Sequence, residues 1–491
     1  MSNTDSRQFT RREALTLAAA SLGALVTPSV LRSVAYAQGG SDPDVIVLGA
    51  GLSGLGTAAM LEDAGLRVCV LEGRTRVGGR VFTRFDLPGY PELGGNTASA
   101  GYGRWLDAAR RCKVELEDVL PRFRRNASQL LVLDGKIVSP DEWLRSPRNV
   151  LPEPYKALMP WAYLPARYPA LSPLKPSDNW YEPSHRADDI SLHDFLVSKG
   201  IDEHVIDLTF NTVPAYGDTA HDMGNLMFAF IDAWTRTVST SSGKPVLYAA
   251  KGGNQRLPEA MAAALRGPVR LGAQAVAIEA GASGATVTLA TGERVKARAV
   301  VSSLPFSALR YLRITPGLSG VQHEAVHQLG YQNMTQMIVV PRKPFWLDDG
   351  LAPSMWTDGP AGWITAERFG ATENDVSSFM VWGRGRRGLQ WDRMGPKAAG
   401  EMVLREIERI RPAAKGKLEL AAVHSWSLDP WNVGDMSVFK PGQVTRFLPA
   451  MAAPHQRLFF CGEHTALANR GMEAALESAE RVAIEVLNTL E

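Results

Sequence analysis

Cysteine is nearly absent from this chain: Cys69, Cys112 and Cys461 are the only three in 491 residues. None is spaced from another as a metal ligand, and an odd count cannot close a complete disulfide framework. Three buried free thiols are expected. The nine histidines are scattered, and no metal-binding set is read from them. Excess charge is missing too. A formal net charge of +2, with no basic cluster among aromatics, excludes a broad nucleic-acid surface. There are no internal repeats and no low-complexity tract. The apolar stretch Ala14 to Val26 has thirteen residues, too few for a bilayer core about 30 Å thick, so no stable membrane span is expected.

That stretch carries a different signal. Thr10-Arg11-Arg12 precedes it and Ala35-Tyr36-Ala37 follows, the charged, apolar and small-residue regions of a twin-arginine export signal. Residues 1–37 are therefore expected to be a signal peptide cut after Ala37, and the mature chain periplasmic. The rest is ordinary globular composition, 45% apolar and 21% charged. Its length suggests about three domains.

The most informative segment is Asp44-Val-Ile-Val-Leu-Gly49-Ala-Gly51-Leu-Ser53-Gly54-Leu-Gly56, an apolar strand, a glycine turn and a helix of small residues. Gly49 and Gly51 allow a tight turn against a pyrophosphate, and Gly54 allows close packing of helix on strand. The helix N-terminus offers unpaired N–H groups to the phosphates. Eighteen residues past Gly54, Glu72 closes a second apolar run, where a carboxylate holds ribose hydroxyls. This chain is expected to bind a dinucleotide.

The residues after Glu72 say which one. Gly73-Arg74-Thr75-Arg76-Val77-Gly78-Gly79-Arg80 continues without a break, and here the chain resembles the flavin-containing amine oxidases. That family includes monoamine, polyamine and L-amino-acid oxidases and bacterial nicotine-degrading enzymes. Three further segments carry the resemblance: Glu92-Leu-Gly94-Gly95; Lys251 to Leu257 with the run Leu271 to Ile278; and Leu458 to Thr465 with Gly471-Met472-Glu473-Ala474-Ala475. It implies an α/β fold: a discontinuous Rossmann-type FAD-binding domain in segments 42–115, 246–310 and 425–491, and an α+β substrate domain in 116–245 and 311–424. It also implies FAD contacts from Gly49, Gly51, Ser53, Gly54, Glu72, Gly73, Arg74, Gly79, Arg80, Gly94, Gly95, Asn96, Val276, Gly462, Glu463 and Met472. Within block two, Ala285–Leu289 and Val295–Val301 read as a hairpin turning at Thr291-Gly292. Residues from Met472 to Leu487 follow helical spacing. The segment from Pro147 to Pro183, rich in proline and aromatics, cannot be a long helix and is read as packing.

Four positions are expected at the reaction centre by that resemblance. Trp426 packs near the flavin ring. Gln336 stands where many members have a lysine holding a water against N5. Met436 and Gly471 stand where monoamine oxidases place two aromatic rings, and their loss implies a wider site. Asp435 replaces the cysteine that some members bond to the cofactor, so FAD should be non-covalent. The implied reaction oxidises a small-molecule amine, bulky or cyclic, to an imine by hydride transfer to flavin N5, and the imine hydrolyses to a carbonyl. Electrons pass to O2 or to a periplasmic cytochrome or quinone; Gln336 implies weakened oxygen reactivity. A homodimer is allowed but not required. The alternatives are an L-amino-acid oxidase, for which Thr97 lacks the usual cation and Arg104, Arg368 or Arg384 must substitute, and a desaturase-like or non-catalytic flavoprotein. Phe210, Asn211, Trp356, Trp363 and Trp382 are further cavity candidates.

Overall fold

The computed structural model describes residues 42–125, 129–175, 179–240, 246–368, 372 and 374–491. The expected signal peptide lies outside them. Among the described residues, no helix is long and apolar enough to cross a membrane.

The runs Val45–Leu48 and Val68–Leu71 are apolar at every position, which suits parallel strands covered on both faces. They pair side by side, with Ala299–Ser302 and Leu458–Phe460 beyond the first and Val269–Arg270 beyond the second, all parallel. Every residue of the central strand is buried. Helix Leu52–Asp63 follows that strand and meets the C-terminal helix Gly471–Leu490. A Cβ on Gly56 would lie 3.0 Å from Leu476 and 3.2 Å from Ala479, so a small residue sets how closely the two helices approach. The expected hairpin is shorter than its sequence suggests. Arg294–Ala297 returns along Ala285–Leu289, but the chain leaves at Arg298 and Ala299–Ser302 enters the parallel sheet. The burial pattern gives the reason: it alternates before the break, and all four residues are buried after it.

A second sheet of seven strands is built from the inserted stretches. Its order is Leu418–Ser425, Met334–Pro341, Val376–Arg384, Trp363–Arg368, Ser354–Thr357, Gln129–Leu133 and Lys136–Val138. It is antiparallel except where Ser354–Thr357 meets Gln129–Leu133. The architecture is thus an α/β fold with a discontinuous Rossmann-like region and a separate α+β domain. The proline-rich segment forms a short helix, Pro160–Arg167, and buries Tyr163, Tyr168 and Trp180, the last stacked on Phe230 at 4.3 Å. It packs, as its aromatics suggest.

Candidate active site

A cavity of about 730 Å³ runs from the end of the first strand to the start of the C-terminal helix. At one end its wall is backbone. Gly49 has φ +98°, and a Cβ on Gly54 would sit 2.0 Å from the Gly49 carbonyl oxygen. A Cβ on Gly51 would meet nothing within 4 Å, because that face opens to the cavity. Helix Leu52–Asp63 has no side-chain cap, so its first amides remain available to an anion. Ser53 lines the same turn. The Glu72 carboxylate accepts from Ala50 N at 2.7 Å and Arg74 N at 2.8 Å, and its other lone pairs face the cavity.

The three arginines after Glu72 each have partners within the protein. Arg74 Nη1 donates to both carboxylate oxygens of Asp429, 2.9 Å to each. Arg76 donates to the Val77, Gly79 and Val81 carbonyls and lies 4.1 Å over the Phe82 ring, clamping the Gly78-Gly79 turn. Arg80 donates to Glu463 Oε1 at 2.9 Å and the Asp435 carbonyl at 2.6 Å. Gly73 lies under Trp431, whose ring leaves no room for a Cβ. Gly79, Gly94, Gly95, Val276, Glu463 and Met472 line the cavity. Asn96 and Gly462 sit just behind the wall: the Asn96 carbonyl accepts from Asn254, and Gly462 N donates to Ser478.

Trp426 is fully buried beneath Gly94. Its Nε1 donates to the Leu93 carbonyl at 3.0 Å and Gln336 Oε1 at 3.1 Å. Gln336 is 1% exposed, with Nε2 on the Met380 sulfur. The two side chains therefore hold each other inside the wall, behind the glycine pair.

Met436 and Gly471 do line the cavity, but the space they release is not empty. Tyr102 Oη lies 3.5 Å from where a Gly471 Cβ would be. Arg470 donates to Tyr216 Oη at 3.0 Å and lies over the rings of Tyr216 and Trp234 at 4.9 and 5.7 Å. The aromatic surroundings thus hold a guanidinium of the protein itself. Arg384 completes the group, 4.8 Å over Trp382 and 5.5 Å over Trp363, and its Nε has no hydrogen-bond partner. Arg384, Tyr216, Asp435 and Arg470 are half-buried, and Asp435 lines the cavity.

Three guanidiniums (Arg80, Arg384, Arg470) face two carboxylates (Asp435, Glu463), which leaves excess positive charge. Burial pushes the Asp435 carboxyl up to about 6, against the pull of Arg80 and Arg384. Burial lowers the pKa of Arg384, with Tyr216 and Asp435 opposing. Burial would also raise the Tyr216 phenol, but Arg470 and Arg384 hold it below its ordinary value. Strand register places a row of tryptophans beside Arg384. Gln336 pairs with Trp382, Trp382 with Trp363 and Trp363 with Trp356, so the three tryptophans form one cross-strand row, with Arg384 two residues along the same face.

Known proteins place the chain in a family. The family model for flavin containing amine oxidoreductases matches residues 52–487. The chain belongs to that family. It is similar to the flavin-dependent L-tryptophan oxidase RebO of Lentzea aerocolonigenes, 29% identical over 89% of this chain and 96% of the relative. It is also 25% identical to the L-amino-acid oxidase BmooLAAO-I of Bothrops moojeni, over 90% of this chain and 89% of that one. Two solved structures share the fold: a putrescine oxidase variant (TM-score 0.73, 21% identity, 91% of this chain and 99% of that one) and the cyclohexylamine oxidase of Brevibacterium oxydans (0.72, 18%, 92% and 100%).

The protein is accordingly an FAD-dependent oxidoreductase acting on an amine-type C–N bond. The cofactor suits the residues present: the glycine turn and uncapped helix fit a pyrophosphate, and among the described residues no cysteine or histidine lines the cavity to bond it covalently. Tyr216 and Arg470 escaped the sequence reading. Arg470 stood beside Gly471 and was within reach of it. Tyr216 carried no local signal.

Proposed function

We propose that the enzyme oxidises the α-amino group of an L-amino acid with a large, apolar or aromatic side chain. The observation that carries this is the buried cation group, above all Arg384, whose Nε lacks a partner. A buried unpaired charge is costly unless a ligand completes it, and a substrate carboxylate does so. A polyamine would instead bring a second positive charge toward Arg384 and Arg470, and a simple alkylamine would leave them without an anion. This departs from the bulky or cyclic amine implied by the loss of paired rings, because Arg470, next to Gly471 in the chain, brings a cation held by Tyr216 to that end of the molecule. Trp356, Trp363 and Trp382 form the wall for the substrate side chain. The similarity to L-tryptophan and L-amino-acid oxidases supports the same reading.

FAD, when bound, supplies the two-electron acceptor for the C–H bond beside nitrogen. The chain's own part is orientation. Arg384 anchors the carboxylate, the tryptophan row fixes the side chain, and Tyr216 holds Arg470 in place. Asp435, partly protonated near pH 6, tunes the local charge. Trp426 and Gln336 stiffen the wall behind Gly94 and Gly95. The resulting imino acid hydrolyses to a 2-oxo acid and ammonium. Incubation of the holoenzyme with matched L-amino acids, D-amino acids and decarboxylated amines, with assay of 2-oxo acid and aldehyde, tests the proposal. A 2-oxo acid from aromatic L-amino acids is expected. Aldehyde from the amines with no 2-oxo acid would refute it.

A further inference from the structure

No metal-binding set stands out along the sequence, yet the fold brings His193, Asp194 and His221 together, with one ligating atom of each within 4.8 Å of the others. We propose that these residues form a surface site for one divalent transition-metal ion of the zinc class. Two imidazoles and a carboxylate are the donors such ions select, whereas magnesium and calcium prefer all-oxygen sets.

The supporting backbone is well fixed. His193 and Asp194 open the helix Leu192–Ser198, where Ser191 Oγ accepts from Asp194 N. His221 stands on the facing loop, which is tied to that helix by His193 N to the Ala220 carbonyl at 3.0 Å and Leu192 N to the Met223 carbonyl at 2.8 Å. The two imidazole rings stack with centroids 3.7 Å apart. His193 Nδ1 lies 3.1 Å from Asp194 Oδ1, so these two atoms already converge, and an ion bound between them would replace that hydrogen bond. Asp194 and His221 are exposed, so side-chain rotation can close the set to metal–ligand bonds of about 2.0–2.2 Å. The same loop carries Tyr216, five residues before His221, and Asp218 on it accepts from Arg386. An ion here would tether the loop that holds Arg470.

A competing histidine pair exists. His323-Glu324-Ala-Val-His327 on the helix Gly320–Gln328 does have HExxH form, against the expectation that no histidine has that spacing. Its rings lie 4.2 Å apart, but Glu324 is paired with Arg446 at 2.5 Å, and no third ligand joins the pair among the described residues.

The test is zinc content of chelator-treated holoenzyme after equilibrium dialysis against Zn²⁺ and gel filtration. One ion per chain is expected in the wild type and in a His323→Ala/His327→Ala variant, with a rise in melting temperature on zinc addition. His193→Ala/His221→Ala should retain none and show no rise. No retained zinc in the wild type, or zinc kept by the His193→Ala/His221→Ala variant, would overturn the proposal.

Discussion

At the nucleotide end of the cavity, Gly49, Gly51 and Gly54 build the wall within six consecutive residues. At the proposed substrate end, Arg80, Tyr216, Arg384, Asp435, Glu463 and Arg470 come from segments up to 390 residues apart. The first end works by removing side chains so that backbone N–H groups reach a ligand. The second works by gathering charged side chains so that a ligand must complete them. A backbone site can be lost through a single methyl group, whereas a charge cluster degrades in steps.

The sharpest way to break this contrast is at Gly54. A side chain there meets the Gly49 carbonyl at 2.0 Å, so Gly54→Val is expected to leave the purified chain without FAD, read as the flavin absorbance per chain. Gly51→Ala separates fold from binding. Its Cβ meets no protein atom, so the melting temperature of apoprotein should hold while FAD is lost. Retention of FAD by both variants would refute the backbone account.

Trp426→Phe acts between the two ends. It keeps a buried ring but removes the donor to the Leu93 carbonyl and Gln336, and leaving such groups unpaired costs about 1–3 kcal/mol. A lower denaturation midpoint with unchanged substrate KM is expected. A large rise in KM instead would place Trp426 in contact with substrate.

The smallest effect concerns pH. Asp435 titrates at about 6 because burial favours its neutral form. As pH rises through that value the carboxyl ionises, the cluster loses one unit of net positive charge, and a substrate carboxylate binds less well. KM should climb roughly threefold to tenfold between pH 5 and 8, about 0.7–1.4 kcal/mol. Because the folded pKa lies above its unfolded value, stability from this group is also lost as pH rises toward 6. Asp435→Asn should flatten the KM profile and melt at a higher temperature than wild type above pH 6. An unchanged profile would remove Asp435 from the substrate's surroundings.

The contrast also explains what the sequence could show. The first strand, its glycine turn and the C-terminal helix were legible because their signals are local: an unbroken apolar run, spaced glycines, a 3.6-residue period. The departure of the chain at Arg298 was not, because a strand that changes sheets keeps its apolar character and loses only its alternation. Gln336 and Trp426 were found through family position, but their burial behind Gly94 depends on the pairing of distant strands. The cation group was half visible. Arg384 was one of three arginines offered as a carboxylate partner; Arg104 proves to be bound to Glu473 and Glu480, and Arg368 is buried in the second sheet. Tyr216 became meaningful only once the fold set it under Arg470.

The account turns on Arg384 choosing a carboxylate, and anaerobic titration tests it most directly. Wild-type holoenzyme and Arg384→Met would each be titrated with an aromatic L-amino acid and its decarboxylated amine while flavin absorbance is followed. The wild type should bleach with the amino acid and not with the amine. Arg384→Met should keep its FAD and need at least about 30-fold more amino acid, the loss of roughly 2 kcal/mol or more that follows removal of one partner of a buried charge pair. Equal bleaching of both proteins by the amino acid, or preference of the wild type for the amine, would contradict the account.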